Sequence, residues 1–195
     1  MSGTPETLAQ AAARLVVDDG LEYGAAKRKA ARDFERRGAR RSELPSNEAI
    51  EDEVREYLAL FQADTQPAEL AALRHLALAW MQRLAEFRPH LTGAVWRGTA
   101  TRRSAVQIEL YCDDPKAAEI GLLDLHVRFE AVGQPDGTDL LRVEVPCHEL
   151  GDTVSLLLHV LDRDDLRGGL KPDSRGRTWR GDLTALQRLL RAAAP

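Results

Sequence analysis

The sequence predicts an α+β protein: an N-terminal helical region followed by a small mixed sheet covered by helices. Three observations carry that reading. Apolar residues recur at three- and four-residue spacing from Leu8 to Leu84. After Phe87-Arg88-Pro89 that period gives way to alternation, as in Val106, Ile108, Leu110 and Cys112. The closing stretch, with Leu183, Leu186, Leu189 and Leu190, returns to helical spacing. The border between the two regimes falls at Pro89, which divides the chain into a helical extension, 1–88, and an α+β domain, 89–195, with the sheet expected wholly within 89–162.

The helical half reads as four helices. Thr4 and Pro5 cap the first, which carries Leu8, Ala11, Ala12, Leu15 and Val16 on one face and ends at Asp18-Asp19-Gly20. The second, Leu21 to Arg37, sets Tyr23, Ala26, Ala30 and Phe34 on one face, and Gly38 stops it. Pro45-Ser46-Asn47 supply a turn and cap for the third, whose stripe is Ile50, Val54, Tyr57, Leu58 and Phe61. Pro67 starts the fourth. Its apolar set, Leu70, Leu73, Leu76, Ala77, Trp80, Met81 and Leu84, is wide enough to be buried on more than one side.

In the second half, residues 90–92 read as a short strand running into Gly93, and residues 105–112 as a half-buried one. Asp113-Asp114-Pro115 makes a turn and cap for a helix reaching about Gly121. Leu123, Leu125, Val127 and Phe129 alternate with polar residues, which predicts a strand. Gln134-Pro135-Asp136-Gly137 then turns the chain into Leu141, Val143 and Val145. Residues 154–161 are apolar on both faces except for Ser155 and His159, as in a central strand. The charged, Gly-rich residues 162–181 read as a mobile loop, and a helix closes the chain from Asp182.

Composition narrows the functional classes. At 44% hydrophobic and 30% charged residues, the 195-residue chain has the balance of a globular domain rather than a disordered one. No apolar run approaches the roughly 18 residues of a membrane span. Residues 1–6 lack the basic-then-apolar pattern of a secretory leader, so the chain reads as cytoplasmic with no membrane partner. Cys112 and Cys147 close apolar runs, as buried reduced thiols do, and the five histidines have no metal-type spacing, so no metal site is expected. Neither a Gly-x-x-x-x-Gly-Lys-Ser/Thr phosphate loop nor a Gly-x-Ser-x-Gly elbow is present.

Charge is unevenly spread. Between residues 27 and 41, Lys27, Arg28, Lys29, Arg32, Arg36, Arg37, Arg40 and Arg41 face only Asp33 and Glu35, which makes this the candidate nucleic-acid surface. The next helix is acidic (Glu48, Glu51, Asp52, Glu53, Glu56), and the net charge is -4. Were the two helices packed as neighbours, their fields would partly cancel.

Residues 91–112 hold the densest local signal. Gly93 opens a turn that carries Arg97, Gly98, Thr99, Arg102, Arg103 and Ser104 and runs into the alternating strand. This stretch resembles the signature of the nucleotidyltransferase superfamily related to DNA polymerase beta, in which a Gly-Ser turn opens a short helix and a strand follows bearing two aspartates two residues apart. The resemblance implies aspartates on one strand face that hold divalent metal against a nucleotide's phosphates. Here those two positions are Ala105 and Gln107, and Ala94 stands for the serine. Alanine ligates nothing, and a neutral amide is a poor ligand for a hard cation.

The resemblance therefore implies a degenerate nucleotidyltransferase scaffold that needs no cofactor and binds a nucleotide, nucleic acid or protein. An anion would sit at Gly93, Arg97, Gly98, Thr99, Arg103 and Ser104, where glycines permit close backbone approach and arginines add charge. Nucleotide or nucleic acid would engage Arg97 and Arg103, or the basic segment Lys27, Arg28, Arg32 and Arg36. The alternative is an active, magnesium-dependent transferase with rearranged acids, Glu109 together with Glu144 or Asp124.

Overall fold

The computed structural model describes residues 7–36, 43–133, 139–166 and 176–193. Thr4, Pro5, Gly38, Arg37, Arg40, Arg41 and the turn at 134–137 lie outside them. The chain forms two compact units, Met1–Pro67 and Ala68–Pro195. The division falls at Pro67 rather than at 88, so nearly all of the fourth helix belongs with the sheet, whose core it shares.

The first unit is helical: α1 (Leu8–Asp19), α2 (Tyr23–Arg36) and α3 (Asn47–Phe61). The Thr7 side chain caps α1 by accepting from the Gln10 backbone N–H, and Gln10 Oε1 accepts in return from the Thr7 N–H at 3.0 Å. Gly20, at φ 67, ends the helix in the left-handed region that glycine occupies without strain. Ser46 caps α3 by accepting from the Ala49 N–H. Both α2 and α3 pack on α1. The residues between them are small: Ala11, Ala12, Ala13, Val16 and Val17 of α1 meet Tyr23, Ala26 and Ala30 of α2 and Ile50, Val54 and Leu58 of α3. Glu51 is buried among them, its carboxylate held 2.8 Å from Arg55 one turn on.

The second unit contains α4 (Gln66–Arg83), β1 (His90–Thr92), α5 (Gly93–Arg97), β2 (Val106–Cys112) and α6 (Pro115–Asp124). These are followed by β3 (Glu130–Gly133), β4 (Asp139–Cys147), β5 (Asp152–Asp162), β6 (Arg180–Asp182) and α7 (Leu183–Ala193). The strands form one six-stranded sheet in the order β3-β4-β5-β2-β1-β6. Only β2 and β5 run parallel; the other pairs are antiparallel, so the α+β class with a mixed sheet holds. Parallel neighbours need a long crossover, which α6, β3 and β4 provide. Val106, Ile108, Leu110 and Cys112 of β2 share a buried cluster with Val154, Leu156, Leu158 and Val160 of β5 and with Leu73, Trp80 and Met81 of α4, Leu122 of α6 and Leu186 of α7. Both cysteines are free and buried.

Three expectations change. Residues 123 and 124 complete α6, and Leu125 to Phe129 form no strand. The alternating pattern there coincides with a helix end: Val127 N–H bonds back to Leu122 O at 2.9 Å, and His126 takes φ 57. That six-to-one bond is the signature of a left-handed helix cap, and it satisfies a carbonyl that a strand would leave to a neighbour. The second change is β6: residues 180–182, expected within a mobile loop, pair with β1 and extend the sheet beyond residue 162. A three-residue strand is too short to show a period. The third is the N-cap of α1, which is Thr7.

Candidate functional site

The Gly93 turn is built by β1 and α5. Gly93 sits at φ +70, and a Cβ placed on it would lie 3.2 Å from the Gln107 side chain on β2, so the turn and that residue are in direct apposition. The far end of α5 is closed from α4. Buried Arg74 donates from Nε to Val95 O (3.2 Å) and from Nη2 to Trp96 O (3.3 Å), placing positive charge on carbonyls that the short helix leaves open. Burial pushes the Arg74 guanidinium down, to about 10, so it is still charged at neutral pH. Gly98, at φ +81, lies against it.

Residues 178–181 run alongside. Thr92 Oγ1 donates to Trp179 O at 3.0 Å and Trp96 Nε1 to Thr178 O at 2.8 Å. The Trp96 ring lies on Gly181, where any Cβ would fall inside it. The Arg97 guanidinium stands 5.4 Å from the centre of the Trp179 ring, within reach of a cation–π contact.

On the sheet face opposite the apolar cluster, the register aligns His159, Glu109 and His90 across β5, β2 and β1. Arg180 of β6 reaches the Glu109 carboxylate at 2.6 Å, and the Tyr111 hydroxyl donates to the same carboxylate at 2.7 Å. Arg180 also contacts the Tyr111 hydroxyl. The His90 ring meets Tyr111 edge-on, with centroids 5.3 Å apart, and is oriented by Arg88 O at 2.9 Å from Nδ1. Burial first, then the hydrogen bond and charge of Glu109, drive the Tyr111 phenol far above its ordinary value, so it stays a neutral donor.

The residues singled out in the sequence are only partly brought together. Gly93 and Arg97 border Gln107 and Trp179. Thr99 and Ser104 are buried within the 98–104 loop, where Ser104 Oγ accepts the Thr101 N–H at 3.1 Å; Arg103 is exposed on the same loop. Glu109 is engaged by Arg180 and Tyr111, whereas Glu144 accepts from Ser155 Oγ at 2.7 Å. The cross-strand partners of these two acids, His159 and Ser155, stand four residues apart on β5. At about 3.3 Å per residue along a strand and about 4.8 Å between strands, Glu109 and Glu144 are separated by roughly 16 Å. One divalent ion ligated at about 2.0–2.6 Å cannot span them. Asp124 is exposed at the end of α6. Among the described residues no group of three or more His, Cys, Asp or Glu is placed to hold a metal ion.

In the helical unit, Lys29 of α2 pairs with Asp19 of α1 at 2.8 Å, and Arg36 pairs within its own helix with Asp33 at 3.0 Å. Lys27 is half-buried, while Arg28 and Arg32 are exposed and pair with no described residue.

Arg180, His90, Tyr111 and Arg74 did not stand out in the sequence. Arg180 sits in a charged, Gly-rich stretch, and Arg74 on a helix otherwise read as apolar. Among the described residues no helix is long and apolar enough to cross a membrane. No family model matches the chain, nor does any curated protein or solved structure.

Proposed function

We propose that the chain is a nucleotide-binding module on a nucleotidyltransferase-type scaffold that has given up metal-dependent transfer. The observation that supports this reading best is the pairing of Gly93 with Gln107. A glycine turn opening a short helix abuts the strand position where the superfamily carries an aspartate, and an uncharged amide fills that position. The nearest acid on the same strand face, Glu109, has its charge offset by Arg180 at 2.6 Å, which removes it as a free ligand for a hard cation. A nucleotide would be held by groups that need no metal: Arg97 beside the Trp179 ring, Arg103 on the neighbouring loop, and the Gln107 amide. A guanidinium recognises phosphate oxygens through paired N–H donors.

Titration calorimetry at low salt with each ribonucleoside triphosphate tests this. The expected result is weak binding, unchanged by EDTA or magnesium and weakened by added salt, as screening demands. The Arg97→Ala/Arg103→Ala double variant should lose most of it while keeping the parent's far-ultraviolet circular dichroism, with a modest fall in melting temperature from the lost contact between Arg97 and Trp179. No heat with any nucleotide, or equal heat from the double variant, overturns the reading. Labelled nucleotide transferred in the presence of magnesium, and lost in Glu109→Gln, would instead favour the transferase with rearranged acids.

A further inference from the structure

The helical unit carries two sets of charges that have no partner among the described residues. On α3, Glu53 and Glu56 are one helical turn apart and make no ion pair with any described residue. On α2, the same is true of Arg28 and Arg32, which are exposed and also one turn apart. Residues three and four apart on a helix are surface neighbours at about 5–6 Å, so the two pairs have matching spacing. Other charges of these helices are engaged at home: Lys29 with Asp19, Arg36 with Asp33, and Arg55 with Glu51.

The two carboxylates line a groove of about 490 Å³ between α1 and α3. Its wall continues along α3 through Tyr57, Leu60 and Phe61. Leu60 is 76% and Phe61 69% exposed, unusual for large apolar side chains on a small helical unit. Tyr57 is fixed in place: its hydroxyl lies 3.2 Å from Asp18 of α1, and its ring packs on Phe61 at 4.7 Å. Of the lining residues only Arg14 is basic. The groove is therefore a rigid aromatic slot, acidic on balance, with room for long side chains. Arginine suits it, since its stem covers apolar rings and its planar head both stacks on them and pairs with carboxylates.

We propose that the basic face of α2 from a second copy of this chain docks in this groove, with Arg28 and Arg32 reaching Glu53 and Glu56 and their stems covering Tyr57, Leu60 and Phe61. The chain then self-associates through its helical unit, independently of the nucleotide-binding face in the sheet unit.

Charge exchange in the full chain tests this by sedimentation equilibrium across concentration at low salt. Wild-type protein should self-associate, and about tenfold less tightly in high salt. The Glu53→Arg/Glu56→Arg and Arg28→Glu/Arg32→Glu variants should each remain monomeric, with helical circular dichroism unchanged because none of the four positions is buried. An equimolar mixture of the two should associate again, since each supplies the surface the other has kept. A wild-type protein that stays monomeric at every concentration overturns the proposal, as does association that neither variant disturbs. Variants that do not re-associate when mixed also overturn it. Association that persists in Arg28→Glu/Arg32→Glu while retention on a polyanion column is lost would assign α2 to nucleic acid instead.

Discussion

The two units solve the packing problem with different residues. The sheet unit buries Leu73, Met81, Leu84, Ile108, Leu110, Leu122, Leu156 and Leu158 almost completely, so its cohesion comes from large aliphatic side chains interdigitating between strands and helices. The helical unit sets five alanines, Ala11, Ala12, Ala13, Ala26 and Ala30, among its buried residues. Small side chains let helix backbones approach closely, but each removes little apolar area from water. In the first unit, then, fit counts for more than buried area, and among its described residues Leu60 and Phe61 stay largely exposed.

The contrast is measurable because all three tryptophans, Trp80, Trp96 and Trp179, lie in the sheet unit. Their fluorescence follows that unit alone, while far-ultraviolet circular dichroism follows both. The largest expected effect is Leu158→Ala, at the centre of β5 with no exposed surface, which should destabilise the sheet unit by about 3–5 kcal/mol through lost burial and a residual cavity. Denaturant titration should show the fluorescence midpoint falling well ahead of the dichroism midpoint. Coincident shifts in the two signals would break the comparison, because the units would then unfold as one.

In the helical unit the sensitive change runs the other way. Ala12→Leu, at a position with no exposed surface, should cost about 1–3 kcal/mol by forcing α1 off its neighbours. Dichroism should report the loss and fluorescence should not. A variant as stable as the parent would show slack between these helices and remove the distinction between the cores.

The smallest effect at neutral pH sharpens the comparison inside the sheet unit, by separating its polar face from its apolar one. An unfolded tyrosine ionises near 10, whereas in the fold burial and then Glu109 keep the Tyr111 phenol protonated well above that. Its contribution to stability is complete below pH 10 and declines as pH rises further, because only the unfolded chain then releases the proton freely. Tyr111→Phe should cost about 1 kcal/mol at pH 7 through the lost hydrogen bond to Glu109. It should also flatten the fall in stability above pH 10. Tyr57 and Arg74, also shifted, are common to both proteins and cancel in the difference. Parallel pH curves would remove Tyr111 as the group responsible.

Much of the fold was legible because local rules agreed with the tertiary result. Ser46 and Asp114 cap their helices as their positions suggest, β2 alternates buried and half-buried residues from Val106 to Leu110, and β5, apolar on both faces, lies between β2 and β4. The reading failed where a period was ambiguous or too short. Leu123 to Phe129 fit alternation equally well as a helix end, and Arg180–Asp182 is too brief for any pattern. The site was legible on one side only. Gly93, Arg97 and Gln107 are close in sequence and announce a turn beside a strand. Arg180, which sets the charge of the neighbouring acid, arrives from far along the chain, and no local pattern joins it to Glu109.

That distance has a consequence for biosynthesis. Glu109 and Arg180 are 71 residues apart. At roughly 5–20 residues per second, about 4–14 seconds separate the two on the ribosome. Through that interval β2 carries a carboxylate and a phenol whose cationic partner has not yet been made. The strands that bury apolar surface, β2, β4 and β5, are complete by residue 162, before the ion pair has its second member. Leu186 of α7, which completes the buried cluster on the other face, follows Arg180 by only six residues, so the polar and apolar faces of the sheet receive their last members almost together.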